Sequence, residues 1–252
     1  ELDEIIAHFP DPKYPGIFKE KGKEDSRYKV ACWWYCFFER LWSLRGMENA
    51  LTDFYFYPDE VHRLFQKLTN FYMQVMERAK NELHADAIFT SDDIGTQTGP
   101  FFSEKIFVEF FKPYYKQLFD KAHSLDMHFW LHTCGNIELF LPHFIEIGLD
   151  VIHPIQKYTM EEARIAKLYG DKICIWAGFD VQKTIPFGTA DEVREEVRFM
   201  IDTYARKNGR FMLACGNCLT SDCPIDSFEA LLRESYDYGN KKMKNLVRAE
   251  EV

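Results

Sequence analysis

From about Tyr28 onward, short apolar runs alternate with amphipathic segments along the chain. The apolar runs have the length of buried strands, and the segments between them carry apolar residues at helical spacing. Such alternation predicts βα units around a parallel sheet, because the connections between parallel strands are usually helices that cover the sheet. The clearest helix is predicted to begin at Pro58 and to continue to about Leu83. Further helices are predicted over 103–124, with an interruption by a proline, and over 226–236.

The number of repeats predicts the fold class. About six strand–helix repeats occur in the 252 residues, with no shift in composition that marks a domain boundary. We therefore expect a (β/α)8 TIM-type barrel, which has eight strands, with its first strand or strands missing before Tyr28. Residues 1–252 are predicted to form a single barrel domain, with residues 1–27 as an N-terminal extension or remnant. The predicted strands are 28–34, 86–91, 127–132, 150–154, 172–177 and 210–214.

Charge and cysteine usage exclude several classes of function. The formal net charge is −9, and acidic residues are interleaved with basic ones along the predicted helices. A nucleic-acid partner would require a basic face. No apolar run approaches the length of a membrane span, and no signal peptide opens the chain. The seven cysteines lack the spacing of a small disulfide framework, so we expect reduced thiols and a cytoplasmic protein that acts on a small molecule. A homodimer is a possible assembly.

Two segments carry potential metal ligands. His132 and Cys134 are two residues apart at the end of a predicted strand, so their side chains point to the same side. Cys215 and Cys218 follow another predicted strand. If the two strand ends are neighbours, one imidazole and two thiolates converge on a zinc ion with an open fourth position, which is typical of catalytic zinc.

An acidic pair follows the second predicted strand. Asp92 and Asp93 are both candidate catalytic residues, as a proton donor or as a carboxylate that faces a metal. Because successive side chains of a strand point in opposite directions, only one of the two should face the site. The alternative is that the pair caps the loop that follows.

Further polar and aromatic side chains lie just after predicted strands, where a barrel places its substrate-binding groups. The tryptophans and the tyrosine would suit a flat aromatic ring or a tetrapyrrole, although each could instead belong to the core. The candidate substrate-binding residues are Trp33, Trp34, Tyr35, Trp130, His153, Gln156, Asp180 and Asn217.

The order and spacing of five segments resemble the uroporphyrinogen decarboxylase superfamily, which includes cobalamin-linked methyltransferases. The resemblance covers about residues 28–238, and members of the superfamily usually carry a longer segment ahead of the position of Tyr28. An N-terminally shortened chain is therefore expected. The matching segments are 90–100, 110–116, 132–136, 178–189 and 213–224.

This resemblance implies a zinc-dependent methyltransferase that moves a methyl group between a small thiol or methoxylated compound and a corrinoid or corrinoid protein. His132 and Cys134 match the methyltransferase zinc motif. Asn217 stands where methyltransferases carry a further cysteine ligand and decarboxylases a histidine, so Cys218 or Cys215 would have to supply the third ligand. The alternatives are a metal-free decarboxylase of porphyrinogens and a barrel that binds a corrinoid or partner domain without turnover.

Overall fold

The computed structural model describes residues 2–18 and 26–248. These ranges contain six β-strands and eleven α-helices. The strands are β1 (Val30–Trp33), β2 (Ala87–Ser91), β3 (His128–His132), β4 (Val151–His153), β5 (Cys174–Phe179) and β6 (Phe211–Cys215). The helices are α1 (Leu2–Ala7), α2 (Phe38–Arg45), α3 (Met47–Phe56), α4 (Pro58–Leu83), α5 (Glu104–Ile106), α6 (Lys112–Ser124), α7 (Leu141–Glu146), α8 (Glu162–Tyr169), α9 (Thr184–Phe187), α10 (Ala190–Tyr204) and α11 (Ile225–Arg248).

The chain divides into two compact units. The first holds the described residues up to Ile94 together with 100–133 and 139–150, and the second holds 95–99, 134–138 and the described residues from Val151 onward. The prediction that residues 1–252 form one barrel domain stays a prediction. Of the expected extension 1–27, residues 1 and 19–25 lie outside the described residues.

In the first unit, β1, β2 and β3 are parallel and pair in chain order. Val30 pairs with Ala87, and Ala87 pairs with His128, so the carboxyl ends of β2 and β3 finish side by side at Ser91 and His132. Helix α4 packs its apolar face into the core, because its apolar residues recur at helical spacing. The buried residues of that face include Val61, Leu64, Phe65, Leu68, Tyr72, Val75, Met76 and Ala79.

In the second unit, β4, β5 and β6 are also parallel and pair in chain order. Phe179 pairs with Cys215, so β5 and β6 end together. Helix α10 begins with a capping box in which Thr189 and Glu192 satisfy each other's backbone N–H groups. Its buried face and the strands form the core of this unit.

Parallel strands in chain order, each followed by helix, confirm the predicted α/β class. Six strands are fewer than the eight of a complete TIM-type barrel, so the described residues correspond to part of one. Three helical details differ from the prediction. The segment 103–124 is split by a π-helix at Phe107–Phe111, α3 was not expected, and α11 continues to Arg248 instead of ending near Tyr236. No helix among the described residues is long and apolar enough to span a membrane.

Candidate metal centre

Asp92 lies at the end of β2 but points into the protein. It is fully buried, and its carboxylate accepts hydrogen bonds from the backbone N–H groups of Phe37, Phe38 and Glu39 at 3.0, 3.2 and 2.8 Å. The Tyr115 hydroxyl donates a fourth at 2.5 Å. Burial raises the pKa of Asp92 to about 6, although these hydrogen bonds oppose the shift. Asp92 thus anchors the first turn of α2, a helix that precedes it in the chain, rather than the loop that follows it. The catalytic role predicted for Asp92 stays a prediction.

Asp93, the next residue, points toward His132. Its Oδ1 lies 3.6 Å from the His132 Nε2, and the Asp93 side chain is 40% exposed whereas that of His132 is 9% exposed. The two are brought together because Ser91 and His132 are register partners in neighbouring strands. Burial lowers the pKa of His132 more than the Asp93 carboxylate raises it. The imidazole is therefore neutral near pH 7, the form that binds metals.

Cys134 adds a thiol to this pair. The ligand atoms of Asp93, His132 and Cys134 all lie within 4.8 Å of one another. Carboxylate oxygen, imidazole nitrogen and thiolate sulfur are the three donor types that zinc binds in proteins. Three protein donors would leave the fourth position of a tetrahedral ion open, as in catalytic zinc sites. The group therefore fits a zinc ion with an exchangeable position.

The second thiol pair is not part of this group. Among the described residues, neither Cys215 nor Cys218 belongs to a group of three ligand atoms close enough to share an ion. The Asn217 Nδ2 lies 3.9 Å from the Cys134 Sγ. The Cys218 backbone N–H donates to the Asn217 Oδ1 at 2.8 Å, and Cys218 is exposed. The structure thus adds Asp93 to the candidate ligands, and the ligand role of Cys215 or Cys218 stays a prediction.

Within the second unit, Cys134 opens onto a cavity of about 210 Å³. Three predicted substrate-binding residues, Gln156, Asp180 and Asn217, line this cavity. The Gln156 Oε1 accepts a hydrogen bond from the Gly135 backbone N–H at 2.7 Å. The remaining lining residues are Gln97, Lys157, Gly178, Phe179, Val181, Gln182 and Gly216.

The turn after Cys134 depends on two glycines. Gly135 has a φ of +84°, and a Cβ built on it would lie 2.3 Å from the backbone carbon of Gly95. Only glycine fits there, since both the left-handed conformation and the close backbone approach exclude a side chain. The position of Cys134 in this unit is therefore set by main-chain contact.

Asp180 contributes less to the cavity than its position after β5 suggested. It is 3% exposed, and its carboxylate accepts hydrogen bonds from the backbone N–H groups of Gln182, Lys183 and Thr184. The Tyr158 hydroxyl donates another at 2.9 Å. Burial raises the pKa of Asp180, but these hydrogen bonds outweigh burial and bring it below the ordinary value of 3.8. Its oxygens mainly hold the loop that leads into α9.

The predicted aromatic residues of the first unit separate into two groups. Trp33 stacks on Tyr72 of α4 at 5.0 Å and faces the helices. Trp34 is 53% exposed and stands edge-on to His132 at 6.0 Å. Tyr35 is 40% exposed and adopts a φ of 69°, which is rare for a residue with a side chain. Of these three residues, Trp34 is therefore the one that a ligand beside His132 could reach.

Trp130 and His153 pack against other rings. Trp130 stacks with Tyr28 in the first unit at 5.8 Å. In the second unit, buried His153 contacts Trp176 at 4.5 Å and approaches the Cys215 backbone oxygen with its Nε2 at 3.2 Å. Both residues thus have packing roles in addition to any contact with substrate.

Glu39 was not among the predicted site residues, although its carboxylate contacts Ser91, two residues before Asp93. It is 6% exposed, and its carboxylate accepts a hydrogen bond from the Ser91 Oγ at 2.5 Å. Burial raises its pKa to about 7, opposed by the bond from Ser91 and reinforced by the charges of Asp92 and Asp93. In the sequence it resembles any acidic residue in the first turn of a helix, so no local signal distinguishes it.

Comparison with known proteins identifies a similar fold and a matching family. A methyltransferase from Methanosarcina mazei has a similar fold, with a TM-score of 0.62 and 17% identity over 76% of this chain. The chain spans 54% of that protein's length. A dihydropteroate synthase from Anaplasma phagocytophilum with bound 6-hydroxymethylpterin-monophosphate gives a TM-score of 0.42 at 16% identity, covering 67% of this chain and 66% of that one. No curated protein sequence matches the chain significantly. The sequence model of the uroporphyrinogen decarboxylase family (URO-D) matches residues 41–238, more than half of the chain, which therefore belongs to that family.

Proposed function

We propose that the chain is a zinc-dependent methyltransferase that moves a methyl group between a small thiol or methoxylated substrate and a corrinoid or corrinoid protein. The observation that carries the proposal is the group formed by Asp93, His132 and Cys134, whose ligand atoms lie within 4.8 Å of one another. Membership of the uroporphyrinogen decarboxylase family and a fold similar to that of a methyltransferase support it.

The residues of the site have distinct tasks in this proposal. His132 offers a neutral imidazole, because burial disfavours its charged form. Cys134 offers a thiolate, and Asp93 a carboxylate that is partly exposed to an incoming ligand. Bound zinc would act as a Lewis acid, lowering the pKa of a substrate thiol or polarising an ether oxygen. Trp34, edge-on to His132, shields one side of the imidazole from water.

The size of the cavity beside Cys134 favours a small substrate. Its volume of about 210 Å³ is below the range of about 300–1,000 Å³ typical of pockets for drug-sized ligands. Its amide-bearing residues, among them Gln156 and Asn217, can orient a polar substrate by hydrogen bonds. A compact thiol or methoxylated compound suits this volume better than a porphyrinogen, the substrate of the metal-free alternative.

Metal analysis of the purified protein tests the proposal. We expect about one zinc per chain in the wild type and a large loss in Cys134→Ser, with Cys174→Ser as the control because Cys174 lies at the start of β5, the opposite end from the cavity-lining Gly178. The loaded protein should transfer methyl groups from methylcobalamin to a small thiol. A metal-free wild type, or equal zinc in Cys134→Ser and Cys174→Ser, would contradict the proposal. Decarboxylation of a porphyrinogen by chelator-treated protein would favour the alternative.

A further inference from the structure

A buried carboxylate lies behind the Asp93–His132 pair in the first unit. Glu39 is the second residue of α2 and is 6% exposed. Burying a carboxyl group costs free energy unless other groups offset the loss of hydration. The burial of a carboxylate at this position therefore requires a structural or functional reason, which an exposed side chain of a helix does not.

Helix capping does not provide that explanation. The backbone N–H groups at the start of α2 already have an acceptor, because those of Phe37, Phe38 and Glu39 all donate to Asp92. The carboxylate of Glu39 instead turns toward the end of β2. There it accepts a hydrogen bond from the strand end that precedes Asp93 rather than from its own helix.

A hydrogen bond joins Glu39 to this strand end. The Ser91 Oγ donates to the Glu39 Oε2 at 2.5 Å. Ser91 Oγ in turn accepts from the backbone N–H of Tyr35 at 3.1 Å. Glu39 thus fixes the Ser91 side chain two residues before Asp93 and, through it, the loop that carries Trp34.

We propose that Glu39 is a positioning residue that holds the end of β2 in place through Ser91, so that the Asp93 carboxylate faces His132 and both can bind the same ion. This inference rests on the proposed zinc function. Groups that orient metal ligands by hydrogen bonds typically change metal affinity by 10–100-fold when they are replaced. The Glu39 carboxylate makes no contact with the ion in this role; it acts through Ser91, two residues before the ligand residue.

The test is the metal affinity of Glu39→Gln, which keeps the length of the side chain but replaces the charged acceptor of the Ser91 hydroxyl with a neutral amide. We expect zinc binding, measured by competition with a chelator, to weaken by roughly 10–100-fold. The visible spectrum of the cobalt-substituted protein should shift, since the ligand geometry changes. Exposed Glu109 of the same unit provides the control Glu109→Gln, which should match the wild type in both measurements.

The outcomes separate this inference from the proposed function. A wild type without metal affinity overturns the zinc function and the inference with it. A wild type that binds zinc together with an equally tight Glu39→Gln overturns only the positioning role. If Glu39→Gln does not fold, Ser91→Ala decides the matter, because it removes the hydrogen bond to Glu39 and leaves the carboxylate in place. We expect Ser91→Ala to weaken zinc binding, and an unchanged affinity would overturn the positioning role.

Discussion

Gln156 and Gly135 are joined by a 2.7 Å hydrogen bond from the backbone N–H of the glycine to the side-chain oxygen of the glutamine. Gly135 directly follows Cys134, and Gln156 lines the same cavity as the thiol. One side chain therefore both fixes the backbone that carries a metal-ligand candidate and faces the space for substrate.

Replacing Gln156 with alanine should affect stability and substrate binding together. The buried Gly135 N–H would lose its acceptor, which costs about 1–3 kcal/mol. We expect the free energy of unfolding in urea to fall by that amount and the KM for the small substrate to rise. For the free energy of unfolding, Gln182→Ala is the matched control, because Gln182 lines the cavity but is exposed. An equal loss of unfolding free energy in the two variants would show that the hydrogen bond to Gly135 is unimportant for stability.

Gly135→Ala should be strongly destabilising, whereas Gly99→Ala should not. A Cβ at Gly135 would lie 2.3 Å from backbone atoms of Gly95, at a φ of +84°, whereas one at Gly99 would meet nothing within 4 Å. We expect a loss of roughly 2–4 kcal/mol for Gly135→Ala, since the backbone must move, and a change of less than about 1 kcal/mol for Gly99→Ala. Thermal unfolding of both variants checks this, and similar melting temperatures would contradict it.

Replacement by asparagine should lower the stability of the protein at Asp92 but weaken its zinc binding at Asp93. Asp92→Asn removes an acceptor shared by the N–H groups of Phe37 and Phe38 and the hydroxyl of Tyr115. We expect it to lower the free energy of unfolding by about 2–4 kcal/mol. Asp93→Asn should leave stability nearly unchanged and weaken zinc binding. Chemical denaturation and chelator competition on both variants distinguish these effects, and a destabilised Asp93→Asn would count against the assignment.

Stability should depend on Asp180 in a defined pH range. Burial alone would raise its pKa, but the hydrogen bonds from Gln182, Thr184 and Tyr158 lower it below 3.8. The folded protein therefore binds this proton less readily than the unfolded chain, and the resulting stability is present above about pH 4 and lost as the pH falls through the folded-state pKa. At pH 7, Asp180→Asn should cost roughly 1–3 kcal/mol relative to wild type.

That difference should shrink when unfolding is measured between pH 4 and 2, because wild-type Asp180 then becomes protonated as well. Asp171→Asn is the control, since Asp171 is exposed after α8. A difference between wild type and Asp180→Asn that is constant over this range would contradict the assigned shift.

The repeated elements were predictable because their signals are local. The spacing of apolar residues between Pro58 and Leu83 predicts α4 with its observed bounds, and the apolar runs predict all six strands to within a few residues. The continuation of α11 to Arg248 was missed because its later turns are rich in charged residues and lack a clear apolar stripe.

The details of the site depend on contacts between distant residues. Alternation along β2 predicts that only one of Asp92 and Asp93 faces the site, but the choice is made by N–H groups at positions 37 to 39 and by Tyr115. Glu39 is significant only because Ser91 lies against it, 52 residues away in sequence. Likewise, nothing in the spacing of Cys215 and Cys218 predicts that Asn217 would lie beside Cys134.

The contact between Gly95 and Gly135 consists of main-chain atoms. The side chains around the cavity are therefore largely separate from the structure that locates the thiol. Exchanging Gln97, Val181 or Gln182 should alter which molecules fit without displacing Cys134. A site constructed in this way allows substrate range to diverge between relatives, or in directed evolution, while the ligands of the ion remain where they are.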